Sequence, residues 1–154
     1  MRVYLDLCCL KRPFDSQAHP LVRLETEAVI AILSAPGGQL HFVRSAAHVL
    51  ENAFNPVRTR REAVSQWLSL RPLDDVDTHR LEIRSAALIS LGFSKYDSLH
   101  IASSELSHSD VFVTVDNALM RRARRHSDSL TLRVIDPIRL AEEIFDGTID
   151  RQPE

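Results

Sequence analysis

Val111-Phe112-Val113-Thr114-Val115 is the stretch on which the fold turns. It is β-branched at every position but one, and apolar at every position but one. An amphipathic strand alternates. This one does not, so both of its faces are expected to be buried, as in a parallel sheet covered by helices on either side. Downstream, residues 117–125 read as an Arg-rich helix, 132–135 as a second strand, and Asp136-Pro137 as the opening of a last helix. Upstream, Ser94 opens a helix to about residue 107, and another runs over 78–91 to Gly92. Asn55-Pro56 restarts a helix that reaches about residue 70, after one over 46–54. The chain begins with a short buried strand over 3–7. An irregular stretch through Pro13 and Pro20 follows, then a helix over 21–33 carrying Leu21, Leu24, Ala28 and Ile32 at helical spacing, stopped by Pro36-Gly37-Gly38. Residues 39–43 give one more strand. Strands alternating with helices predict a three-layer α/β/α sandwich with a mostly parallel central sheet. One domain over 1–146 accounts for the pattern, with a fraying tail over 147–154.

Composition narrows the class. The chain has 154 residues, 44% hydrophobic and 26% charged, with four Gly. Those values exclude disorder and collagen-like repeats. The longest apolar run, 28–33, falls far short of the ~20 residues a bilayer core needs. Asp6 interrupts the apolar stretch near the start, which argues against a secretory signal. Cys8 and Cys9 are adjacent and offer neither a disulfide framework nor a zinc knuckle, so a reducing cytoplasm is expected and both read as small buried hydrophobes. Lys11 and Lys95 are the only lysines. Guanidinium groups match phosphate oxygens well, but codon usage explains the bias equally.

Ligands of open parallel sheets bind beyond the carboxyl ends of the strands. Asp6 closes the first strand there, and Asp116 lies just past 111–115. Asp116 has a second use as a cap for the helix over 117–125, as Asp136 has for the last one. Asp6 has no such use, since no helix is expected directly after it, and an unpaired carboxylate in a core strand is costly. In the helix over 46–54, Ala46, Val49, Leu50 and Ala53 form an apolar face with Glu51 on its flank. Asp97 follows Ser94 at capping-box spacing. His100, one turn on, reaches the cleft or serves as a satisfied structural histidine. Thr114 and Asn117 flank Asp116 and could bond metal waters or a phosphate. Arg58, Arg60 and Arg61, and then Arg121, Arg122, Arg124 and Arg125, form basic clusters. The second is placed to hold phosphates of a nucleic acid, or is simply a solvated face.

Tyr-Leu-Asp6-Leu-Cys-Cys-Leu, Glu51, Lys-Tyr-Asp97-Ser-Leu-His-Ile-Ala and Val-Thr-Val-Asp116-Asn resemble the PIN-domain family, in order from Arg2 to about Ile135. The likeness is greatest to small bacterial members, including VapC-type toxins. The resemblance implies that Asp6, Glu51, Asp97 and Asp116 gather at one end of a parallel sheet, hold Mg²⁺ or Mn²⁺ and serve catalysis of RNA cleavage. It also implies a small antitoxin partner and a homodimer. Hard divalent ions favour carboxylate oxygens, and such sites support in-line hydrolysis of a phosphodiester. Family members commonly carry a small polar residue after the first Asp and often Asn one further on. Leu7 and Cys8 stand there instead, which predicts a looser hold on Asp6 and a loss of ~10–100-fold in metal affinity or activity.

The competing expectation is a PIN-like module that binds RNA or protein without turnover. A haloacid-dehalogenase-like enzyme would want a second Asp where Cys8 stands, and a receiver domain an acidic pair that is missing. Neither G-x-G-x-x-G nor G-x-x-x-x-G-K-[ST] occurs.

Overall fold

Four short strands, β1 (Arg2–Leu5), β2 (His41–Phe42), β3 (Val111–Val113) and β4 (Arg133–Ile135), form one sheet in the order β2-β1-β3-β4. Every pairing is parallel, with Tyr4 opposite Phe112 and Phe112 opposite Val134. The computed structural model describes residues 1–147; the expected tail over 147–154 lies outside them except for Gly147.

Alternation along the strands assigns the layers. Val3, Leu5, Val111 and Val113 pack with Val29 and Ile32 of α2 (Pro20–Leu33), Val64 and Leu68 of α4 (Arg58–Ser69), and Leu140 and Ile144 of α8 (Pro137–Phe145). Tyr4 and Phe112 point the other way, onto Leu88 of α5 (Thr78–Ser90), Ile101 of α6 (Lys95–Leu106) and Leu119 of α7 (Asn117–Arg125). Two apolar layers on one parallel sheet make the three-layer α/β/α sandwich. The chain leaves β1 for β2 on one side and returns to β3 on the other. The β1/β3 carboxyl edge is therefore the topological switch point, where open sheets hold ligands.

Four local expectations need correction. Asp6 is followed at once by a helix, α1 (Leu7–Lys11), too short to show periodicity in the sequence. The buried face of α2 is Glu25, Ala28, Val29 and Ile32, while Leu21 and Leu24 face outward. Glu25 turns inward because Arg12 meets it at 2.7 Å. In α3 (Ala46–Ala53) the amphipathicity is inverted: Ala47, His48 and Asn52 are buried, and Val49 and Leu50 are 45% and 48% exposed. Asn55 does not cap α4; the capping position is Val57, whose N–H donates to Asn55 Oδ1 at 3.2 Å. Other boundaries move by a residue or two. Among the described residues no helix is long and apolar enough to cross a membrane.

Candidate metal centre

Asp6 reaches the switch point because β1 carries it there: its N–H donates to the Val113 carbonyl at 2.8 Å, one step past the last strand pair. The residue is buried. Although it precedes α1, its side chain caps nothing. Instead Oδ2 accepts from the Thr114 hydroxyl at 2.7 Å and the Cys8 thiol at 3.1 Å. Cys8 thus supplies the donor that its place after Asp6 was expected to lack, and it is half-buried rather than a plain core hydrophobe. Cys9 is buried, with its thiol on the Val113 carbonyl at 3.3 Å.

Thr114 joins two of the acids. Besides donating to Asp6, its Oγ1 accepts the Asp116 N–H at 3.1 Å. Asp116 is exposed, and its Oδ1 caps α7 by accepting from the N–H groups of Ala118 and Leu119 at 2.8 and 3.0 Å. Asn117 is exposed and makes no side-chain hydrogen bond among the described residues. Arg121, Arg124 and Arg125 are exposed along the same helix, and Arg122 is half-buried against Gly92.

Glu51 arrives from α3, and here the inverted helix face matters. The inward side chains build a buried polar chain. His48 Nδ1 accepts the Ser45 N–H at 3.1 Å, so its other nitrogen carries the proton and donates to the Leu5 carbonyl at 2.7 Å. Ser45 Oγ lies 2.6 Å from the Tyr4 hydroxyl, which lies 2.7 Å from His100 Nδ1. His100 Nε2 closes the series on Glu51 Oε2 at 2.5 Å. Tyr4 is stacked between the rings of His48 and Phe112, at 4.4 and 5.3 Å between centroids. Burial raises the Glu51 carboxyl, but the His100 hydrogen bond and charge, with Lys11, outweigh it and leave the group below the ordinary carboxylate range.

Ligand atoms of Asp6, Glu51 and His100 all lie within 4.8 Å of one another. Asp97 stands at the first turn of α6, where Ser94 Oγ accepts its N–H at 3.1 Å, the capping geometry expected from its spacing. Its carboxyl is raised, by burial first and then by the negative charges of Asp6 and Asp116, against a lowering hydrogen bond with Ser94. Asp6 and Asp116 are therefore near enough for Asp97 to feel both. Of the four expected acids, Asp6 and Glu51 are brought together, joined by His100; Asp97 and Asp116 stand outside that group of ligand atoms.

His100 is the residue whose part at this edge the sequence leaves open. Both of its ring nitrogens are engaged, one by Tyr4 and one by Glu51. That suits a histidine that aims a carboxylate better than one that ligates. The donors left for an ion are then carboxylate oxygens, which fit Mg²⁺ or Mn²⁺ better than a softer metal. The clue in the sequence is Ser45, His48 and Asn52 on one side of α3, with a lone Tyr4 in an otherwise apolar strand. No family model matches the chain, and no curated protein or solved structure matches it either.

Proposed function

We propose that the chain is a divalent-metal-dependent endoribonuclease acting at the β1/β3 edge. The observation that carries this is the meeting of Asp6 and Glu51, from different elements, within 4.8 Å at a topological switch point. Asp97 adds a third carboxyl that feels Asp6 and Asp116. Crowded like charges raise one another's pKa, and a cation relieves that cost. Asp6, Glu51, Asp97 and Asp116 would hold Mg²⁺ or Mn²⁺. A bound ion of that kind supplies Lewis-acid polarisation of a phosphodiester and a water of lowered pKa.

The chain's own residues do the positioning. Thr114 and Cys8 fix one oxygen of Asp6, and His100 fixes one oxygen of Glu51. The Thr114 hydroxyl also accepts the Asp116 N–H, so one side chain links the two acids. Resemblance to VapC-type toxins extends the proposal to an antitoxin partner and to self-association. The apolar outer side of α3 around Val49, Leu50 and Phe54 supports a protein partner.

The test is cleavage of mixed RNA with Mn²⁺, Mg²⁺ or EDTA. Cleavage that needs the metal and falls to background in Asp6→Asn and Asp97→Asn supports the assignment. Activity that survives both substitutions overturns it. Metal binding without cleavage would leave a binding module.

A further inference from the structure

One proton decides whether the acidic edge offers an ion a nitrogen. A ring nitrogen of His100 lies within 4.8 Å of ligand oxygens of Asp6 and Glu51. Its Nε2 faces Glu51 Oε2 at 2.5 Å. A ring nitrogen that carries hydrogen donates and cannot ligate, whereas a bare one is a metal ligand. The buried hydrogen bonds behind His100 determine which of the two Nε2 is.

They start at backbone groups, whose roles are fixed. The Leu5 carbonyl only accepts, so His48 Nε2 carries the proton that meets it at 2.7 Å. His48 Nδ1 then has a single lone pair, and the Ser45 N–H takes it at 3.1 Å. Ser45 Oγ lies 3.3 Å from the same nitrogen, which has nothing left to accept the hydroxyl proton. That proton goes instead to the Tyr4 oxygen, 2.6 Å away. Ser45 and Tyr4 are 1% and 0% exposed, so bulk water offers no other partner, and burial keeps the phenol in its protonated form. The phenol proton cannot point back along a line that the Ser45 proton already occupies. It goes to His100 Nδ1 at 2.7 Å. Nδ1 is therefore bare, and the hydrogen of the neutral ring sits on Nε2, facing Glu51. Any other placement, a doubly protonated ring included, leaves a buried hydroxyl proton without an acceptor, which is costly.

We infer that Tyr4 is a positioning residue that sets the metal preference of this centre: its hydroxyl keeps His100 Nε2 protonated, which withholds the nitrogen from an ion, makes it a donor that holds Glu51 Oε2, and leaves an all-oxygen site that favours Mg²⁺ or Mn²⁺ over Zn²⁺. That an ion binds at this edge rests on the proposal above; the place of the His100 proton rests on the hydrogen bonds alone. Imidazole suits Zn²⁺, whereas carboxylate and water suit Mg²⁺ and Mn²⁺. Tyr4, fully buried, acts only through His100.

The first measurement needs neither metal nor substrate. Long-range ¹H–¹⁵N spectra of the metal-free parent at pH 7, assigned by comparison with His100→Gln, should show His100 as a neutral ring protonated on Nε2. A proton on Nδ1, or on both nitrogens, overturns the inference, whatever any variant does. The second measurement uses Tyr4→Phe, which keeps the ring between His48 and Phe112 and removes only the hydroxyl. Calorimetric titrations with Zn²⁺ and with Mn²⁺ should give a Zn²⁺-to-Mn²⁺ affinity ratio about 10-fold or more above the parent's, with circular dichroism checking the fold. Loosened packing alone would weaken both ions alike and leave the ratio in place. A ratio within two-fold of the parent's in the folded variant overturns the role of Tyr4. The outcomes separate from those of the nuclease test: a misplaced His100 proton leaves Asp6-dependent cleavage standing, and an absent cleavage activity leaves the spectrum and the ion ratio to be read.

Discussion

Acid should loosen this protein through His48. The ring is buried and neutral, accepting from Ser45 N–H and donating to the Leu5 carbonyl. Its pKa is pushed down from 6.5 to about 3, chiefly by burial, then by His100 and Arg44, against the raising effect of the Leu5 carbonyl. Between those two values the unfolded chain binds a proton that the folded chain refuses. Stability is therefore full above about pH 6.5 and declines as pH falls toward 3, by about 1.4 kcal/mol per pH unit. From pH 7 to pH 5 the loss is about 2 kcal/mol, a large share of the roughly 5–15 kcal/mol that holds a domain together. His48→Gln keeps a donor for Leu5 but has no group that titrates. It should start less stable at pH 7, by about 1–3 kcal/mol for the lost acceptor of Ser45 N–H. The gap to the parent should then narrow by about 2 kcal/mol by pH 5. Urea unfolding followed by circular dichroism at pH 7, 6, 5 and 4 measures this directly. Equal pH slopes for the parent and His48→Gln would refute the assignment of a buried neutral imidazole.

Thr114→Val removes the 2.7 Å donor to Asp6 while keeping the side-chain shape. Calorimetric Mn²⁺ titration should show affinity weakened by about 10–100-fold in a folded protein, and an unchanged Kd would take Thr114 out of the site. Arg121→Ala with Arg125→Ala should lower the salt slope of RNA binding in EDTA by about 0.7 for each phosphate that α7 touches. A slope equal to the parent's would leave those arginines as a solvated face.

The sheet was legible because parallel strands buried on both faces must be apolar throughout. Residues 111–115 needed no alternation to be recognised, and the fully buried β3 falls within them; β4, at the sheet edge, falls within 132–135 and carries the exposed Arg133. Placing Asp6 and Asp116 at one edge required only that β1 and β3 be parallel neighbours, which they are. Helix limits were legible where a cap marked them, as at Ser94, Gly92 and Asp136. The faces of α2 and α3 were not. Counting apolar residues places Leu21 and Leu24 inside, but the ion pair of Glu25 with Arg12 decides the rotation of α2. No periodicity encodes a partner thirteen residues distant in the chain.

The inversion of α3 is of another kind, and it connects the fold to the site. A purely apolar inner face would pack against Tyr4 and Phe112 without needing any hydrogen bond, so hydrophobic burial alone gives no reason to turn His48 and Asn52 inward and Leu50 outward. What the turned helix gains is a run of satisfied polar contacts, each member of which fixes the next: Leu5 carbonyl, His48, Ser45, Tyr4, His100. Satisfied networks of this sort hold side chains in single positions, and a broken one is worse than an apolar core. This one does not close on itself within the core. It ends at Glu51, whose side chain is 28% exposed at the same edge as Asp6. A chain of buried bonds that terminates on a half-exposed carboxylate serves to aim that carboxylate, and the outward apolar side of α3 is what the aiming costs.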